Sequence, residues 1–178
     1  MREEKLYSRK IYEGKILTLF KDSVELEDGR NTTREIVIHT DAACILPVKD
    51  DNVILIKQFR YPLSNNIIEI PAGIIERGED PCSAARRELK EETGYVSNNM
   101  QKIISFYSSP GFTNEKLHFF IARDIVPGEQ ELDTDEDIEL LEISLNKSID
   151  MIIKGDIVDA KTIIALYTYR HMLEINRI

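Results

Sequence analysis

The chain has 178 residues and 42% hydrophobic side chains, enough for one ordinary domain with a sizeable core and too little for two independent ones. Its 23 basic against 32 acidic side chains leave a formal charge of -9, and no block of Lys or Arg offsets it; nucleic acid is therefore excluded as the expected partner. No run approaches the roughly 18 apolar residues that span a bilayer, and "MREEKLYSRK" carries no signal segment, so a cytoplasmic protein without a membrane partner is expected. Cys44 and Cys82 have neither CxxC spacing nor a framework to staple, which fits free thiols in a reducing compartment.

In chain order, residues 15–26, "KILTLFKDSVEL", and 34–40, "REIVIHT", are rich in β-branched and aromatic residues and flank "EDGRN", a turn composition. They predict a hairpin within a small N-terminal β subdomain, residues 1–40. The main domain is then 41–178. In it "AACILPV" and "NVILIKQFR" flank the turn "KDDN", and "IIEIPAG" follows the polar connection "YPLSNN". Asp80 can cap a helix whose first residue is Pro81, and Gly94 stands where a left-handed C-terminal residue belongs, which places the helix at 81–93. "KIISFYSS", "KLHFFIAR" and "IELLEISL" read as further strands, and the tail from Ser148 as two helices broken near Gly155 and Asp156. Strands, helix, strands and terminal helices in that order imply a mixed sheet packed between helices, an α/β or α+β sandwich.

On helix 81–93, Cys82, Ala85 and Leu89 recur at spacings of three and four and form a narrow apolar stripe. Glu88, Glu91 and Glu92 fall beside it within one turn. Like charges so placed repel by about 0.2–0.5 kcal/mol per pair. A hard divalent cation would remove that repulsion; the alternative is a solvated face interspersed with Arg86, Arg87 and Lys90.

The full stretch "GIIERGEDPCSAARRELKEETGY" sets Gly73, Glu79, Arg87-Glu88-Leu89, Glu91-Glu92 and Gly94 at the spacing of the Nudix box and resembles the Nudix hydrolase superfamily without a departure. Each position has a physical reading: Gly73 would let the strand end turn tightly, Gly94 would end the helix, and Arg87 would hold Glu79. The resemblance implies a Nudix α/β/α sandwich with a mixed sheet, and hydrolysis of a diphosphate linked to another moiety. It also implies Mg²⁺, with Mn²⁺ as the alternative, held by Glu88, Glu92, Glu136 and the carbonyl of Ala72. Glu91 would be a secondary ligand or an acid next to the ligands, and Glu136, Glu91 and Arg87 would form the catalytic group.

Pro110 lies sixteen residues after Gly94, and this spacing, with "LIKQFRYP", "IIEIPAG", "SSPGFTNE" and "DAKTIIALYTY", resembles the ADP-ribose pyrophosphatase branch. By that resemblance Arg60 would meet the diphosphate or terminal ribose, Glu69 would approach the ribose hydroxyls, and Ile74 and Glu115 would also contact substrate. Arg60 could equally be a surface arginine, Glu69 an outward strand residue, Glu115 a solvated one and Pro110 part of a simple turn at 109–112. In the acidic stretch "DTDEDIEL" Glu136 matches the glutamate that completes metal coordination, while the family's general-base position falls on Thr134, so Glu136, Asp135 or Asp133 would have to act. His39, His118 and His171 lack ligand spacing, and His118 reads as structural. Tyr7, Tyr12 or Phe20 could stack on adenine, with core packing as the default role.

The resemblance to that branch implies hydrolysis of ADP-ribose to AMP and ribose 5-phosphate by a homodimer joined through its N-terminal sheet. The alternatives are another nucleoside diphosphate sugar such as GDP-mannose, a flavin or dinucleotide, or a module that senses ADP-ribose without cleaving it.

Overall fold

A computed structural model of the chain describes residues 2–132, 134 and 136–176; Asp133 and Asp135 lie outside the described residues. Chain contacts divide it into two units, one formed by the residues up to Asp41 with Phe106–Lys116, the other by Ala42–Ser105 and the residues from Leu117 onward.

The first unit is an antiparallel sheet in the order β1 (Glu3–Glu13), β2 (Leu17–Leu26), β3 (Asn31–His39). The expected hairpin is β2 and β3, joined through "EDGRN", where the Leu26 N–H donates to Arg30 O at 2.8 Å. Strand β1 was not signalled by its sequence. Its apolar residues Leu6, Tyr7, Ile11 and Tyr12 come in adjacent pairs rather than alternating, and two irregularities, between Lys5 and Tyr7 and between Lys10 and Tyr12, interrupt the register with β2. The strand exists because β2 offers it a ladder. Tyr7 and Tyr12 are 65% and 58% exposed, which corrects the expectation of core packing for them; Phe20 is half-buried. Residues 106–116 fold onto the end of β3: Val37 N–H donates to Phe112 O at 2.8 Å, and Asn114 clamps both the N–H and the carbonyl of His39.

The second unit holds a seven-stranded mixed sheet. Its strands are β4 (Ala42–Lys49), β5 (Asn52–Arg60), β6 (Asn65–Glu69), β7 (Ala72–Ile74), β9 (Asn99–Tyr107), β10 (Lys116–Arg123) and β12 (Ile138–Ser144). The order is β12-β5-β4-β10-β9, with β6 on β5 and β7 on β4, and β4 and β10 run parallel. Strands β4 and β5 pair only at their hairpin end, Val48 with Val53 and Lys49 with Asn52, and then diverge. The wedge between them accepts β6 on one side and β7 on the other, so "IIEIPAG", read from sequence as one strand, is two. The break falls at Ile70-Pro71, where proline has no N–H for a ladder and the Ile70 N–H leaves the sheet for Thr162 Oγ1 at 2.8 Å. Two short strands, β8 (Tyr95–Val96) and β11 (Val126–Pro127), pair with each other apart from the main sheet.

Helices α1 (Pro81–Thr93), α2 (Leu145–Lys154) and α3 (Ala160–Glu174) complete the unit. Helix α1 has the boundaries its caps foretold: Asp80 accepts from the N–H groups of Cys82 and Ser83, and Gly94 donates to Lys90 O at 2.8 Å with φ of 71°. Helix α2 begins earlier than the expected Ser148, because Ser144 caps it. Alternate residues of the central strands serve opposite faces: Ala43 and Ile45 of β4 join Phe120 and Ala122 of β10 against Ala84, Ala85 and Leu89 of α1. Cys82 is only half-buried at the edge of this cluster. Cys44 points to the other face and is fully buried, its thiol pushed up to about 12 by that burial. Among the described residues no helix is long and apolar enough to cross a membrane.

Candidate active site

The acidic side of α1 faces β7, and the close approach explains Gly73. The expected tight turn is not there: Gly73 lies within β7, opposite Ala43 in the ladder. A Cβ at this position would fall inside van der Waals contact of the Glu88 carboxylate. Glycine is needed for room rather than for a turn.

Arg87 organises the acids. Its Nε donates to Glu79 Oε1 at 3.1 Å, and Nη2 donates to Glu79 Oε2 at 3.1 Å and to Ile74 O at 3.0 Å. Nη1 donates to Glu88 Oε1 at 2.6 Å and Glu91 Oε2 at 2.9 Å. All five N–H groups of the guanidinium are engaged. The hydrogen bonds from Arg87 hold the Glu79 carboxyl below its ordinary range. Charge-assisted bonds of this kind contribute roughly 1.5–3 kcal/mol each when partly buried. Arg87→Ala is therefore expected to lower the Tm by about 5 °C and, by releasing Glu88 and Glu91, to lower activity as well; thermal melts and steady-state kinetics on one preparation check both.

Glu92 is 3% exposed, and its Oε2 accepts from the Ala72 N–H at 2.8 Å. Burial pushes its carboxyl up to about 8; the Ala72 N–H and Arg60 oppose this, while Glu88 and Glu136 add to it. Glu88 is also raised, first by burial, against the pull of Arg87 and with the repulsion of Glu91 and Glu136. Glu136, in the segment before β12, is thus within electrostatic reach of both acids. Among the described residues no three His, Cys, Asp or Glu side chains are drawn together as a closed coordination shell. Arg87 instead takes Glu88 and Glu91. The donor set is nonetheless all oxygen, anionic and partly desolvated, which is the chemistry that a hard divalent cation requires.

Arg60, at the end of β5, grips Glu69 with both arms, Nε to Oε1 at 2.6 Å and Nη2 to Oε2 at 2.9 Å. Glu69 does not point outward from its strand. It is 1% exposed, and Lys161 donates to Oε2 from the opposite side. Burial opposes its ionisation, but Arg60 and Lys161 outweigh this and keep its carboxyl below the ordinary range. Asp159, Lys161 and Thr162 were not picked out from the sequence, although they sit at "DAKT", the start of α3. The available signal was an aspartate three residues before a threonine, a cap pattern, and Asp159 does accept from the Thr162 N–H at 2.9 Å.

The remaining candidates are dispersed. Ile74 is partly exposed and contributes its carbonyl to Arg87. In the first unit Glu115 is half-buried and lies 3.4 Å from His39 Nδ1. Pro110 sits in a turn where the Phe112 and Thr113 N–H groups both reach Ser109 O. His118 is buried with Nδ1 2.9 Å from Ser105 Oγ.

A capped acidic helix packed on a mixed sheet, with the box intact, defines the class. The NUDIX domain matches residues 38–163, and the chain belongs to the Nudix family. Residues 3–37 match the nucleoside diphosphate sugar hydrolase N-terminal domain. An ADP-ribose pyrophosphatase of Bacillus subtilis is 41% identical over 93% of this chain and 91% of its own. A methanol dehydrogenase activator of Bacillus methanolicus is 40% identical over 92% and 90%, and a GDP-mannose pyrophosphatase of Shigella flexneri 37% identical over 75% of each. A crystal structure of an ADP compounds hydrolase superposes with a TM-score of 0.90 over 99% of this chain and 96% of that one, at 24% identity, and shows the same fold.

Proposed function

We propose that this Nudix hydrolase cleaves the diphosphate of ADP-ribose to AMP and ribose 5-phosphate, with Mg²⁺, or Mn²⁺ in its place, at Glu88, Glu92, Glu136 and the Ala72 carbonyl. The observation that carries this reading is the pair of buried acids Glu88 and Glu92, which burial and each other disfavour as anions and which Arg87, Arg60 and the Ala72 N–H partly offset. A divalent cation held by these residues would supply charge neutralisation of the diphosphate and a more acidic water as nucleophile. Glu91, fixed by Arg87, adds negative charge beside these ligands. Arg60 has three N–H groups beyond those on Glu69 and binds the anionic phosphate oxygens with them. Glu136 takes the proton of the attacking water, and Asp133 or Asp135 could share that work. Ile74 contacts the remainder of the substrate, and Glu69 orients Arg60 next to the ribose.

ADP-ribose is favoured over GDP-mannose because the similarity to the ADP-ribose enzyme is higher and extends over more of the chain. The apolar side chains left exposed on β1, including Leu6, Tyr7, Ile11 and Tyr12, support a homodimer formed through a subdomain of residues 1–40, apart from a hydrolase domain of residues 41–178. The two free cysteines support a cytoplasmic location.

A substrate panel tests the assignment. ADP-ribose is expected to exceed GDP-mannose and dinucleotides in kcat/KM by at least about tenfold, or 1.4 kcal/mol, and chelation with EDTA to abolish turnover. Equal turnover of all substrates would remove ADP-ribose as the preferred one. Tight ADP-ribose binding without hydrolysis in the presence of metal would make the chain a sensor.

A further inference from the structure

Lys161 is charged, largely buried and close to the site, yet the diphosphate chemistry above gives it no part. It bonds Glu69 Oε2 and lies 3.2 Å from Asp159 Oδ2. We propose that Lys161 is a positioning residue: by neutralising Glu69 it leaves the charge and the free edge of Arg60 available to an anionic substrate. The inference rests on the reading of Arg60 as a phosphate-binding residue.

Charge and hydrogen-bond accounting support it. Arg60 and Lys161 face Glu69 and Asp159, two cations against two carboxylates. Without Lys161, Arg60 would be the one cation among the described residues paired with Glu69, and its charge would be consumed there rather than shown to a ligand. With Lys161 in place, Arg60 commits one N–H from Nε and one from Nη2, and its other three have no partner among the described residues. Its side chain is 40% exposed, so those groups can be reached. The Glu92 carboxyl also favours the Arg60 charge, so the guanidinium is within electrostatic reach of one proposed metal ligand.

Lys161 is also held in a way that surface lysines are not. Asp159 accepts from both the N–H and the hydroxyl of Thr162, at 2.9 and 2.6 Å, and that hydroxyl accepts from the Ile70 N–H at 2.8 Å. The first turn of α3 is thereby tied to the backbone one residue beyond Glu69. Lys161 extends from that anchored turn with its Nζ committed to Glu69 and Asp159, which suits it to fix Glu69 and, through it, Arg60.

The test combines Lys161→Met, Lys161→Arg, Arg60→Ala and the Lys161→Met/Arg60→Ala double variant, with KM, kcat and Tm measured on ADP-ribose. Lys161→Met is expected to raise KM about tenfold with a smaller change in kcat, and Lys161→Arg to restore most of the loss. In the Arg60→Ala background Lys161→Met is expected to add no further change in KM while still lowering Tm, because it acts on substrate only through Arg60. An unchanged KM for Lys161→Met, or an equal rise with and without Arg60, overturns the proposal and leaves Lys161 a stabilising ion-pair partner. If Lys161→Met does not fold alone, the comparison is made in a Glu69→Gln background, where the carboxylate that Lys161 neutralises is gone and Arg60 has no charge to be consumed. There Lys161→Met is expected to leave KM within about twofold of Glu69→Gln alone, and a rise of about tenfold would overturn the proposal. Should Arg60→Ala itself leave KM unchanged, the phosphate-binding reading of Arg60 is what fails, and the role of Lys161 fails with it.

Discussion

Glu92→Gln is expected to lower kcat by roughly two to three orders of magnitude while leaving the Tm of the metal-free protein equal or higher. The substitution removes a charged ligand from the proposed cation site, yet Gln retains an oxygen that can accept from the Ala72 N–H. It also deletes a carboxylate that burial and two like charges disfavour. If the variant unfolds and the surviving fraction stays active, Glu92 is a structural residue and the proposed chemistry is misplaced. The same carboxyl sets a pH dependence. Its folded pKa of about 8 lies above the ordinary 4.5, so between those values the folded, metal-free protein keeps a proton that the unfolded chain has released. Stability from this group is therefore fully present below pH 4.5 and is lost as pH rises toward 8. In EDTA the wild-type Tm is expected to fall by about 5 °C across that window, and Glu92→Gln to flatten most of the slope. Added Mg²⁺ or Mn²⁺ should restore more Tm at pH 8 than at pH 5, because a cation binds the deprotonated acids. A cation effect equal at both pH values would argue against Glu92 as a ligand.

Gly73→Ala is the second large effect, and it separates activity from stability. Gly73 is not among the residues with positive φ, so its backbone suits alanine, and the atom that a Cβ would strike is the end of the flexible Glu88 side chain. The fold can yield by moving that carboxylate at small cost. Activity cannot yield in the same way, since a displacement near 1 Å at a reacting centre costs on the order of a hundredfold. A fall in kcat of that size with a Tm within about 3 °C of wild type is the expected outcome. A Tm loss that outruns the activity loss would mean that the glycine serves β7 itself.

How far the sequence could be read depended on how local each cause is. Helix α1 was legible to the residue because Asp80, Pro81 and Gly94 act within one turn of where they stand. The hairpins around "EDGRN" and "KDDN" were legible for the same reason. Strand β1 was not, because its apolar residues come in adjacent pairs and its register is set by β2. The split of "IIEIPAG" had a visible clue in Pro71, but the need for two strands arises only because β4 and β5 diverge.

The candidate site divides in the same way. The spacing of Glu88, Glu91 and Glu92, and the pairing of Arg87 with Glu79, follow from the box and from helical geometry. That Glu69 is buried between Arg60 and Lys161 does not, since Lys161 is ninety-two residues distant in the chain.

By itself, then, the sequence of this protein determined where α1 starts and stops, which acids it carries on one side, and the family to which that pattern belongs. Only the tertiary structure decided that Gly73 makes room for Glu88, that Glu92 is buried against β7, and that Arg60 is held by a carboxylate shared with α3. The physical reason is range. Caps, turns and helical spacing act over a few residues and leave a periodic trace, whereas desolvation and ion pairing depend on which distant segments the packed sheet brings together.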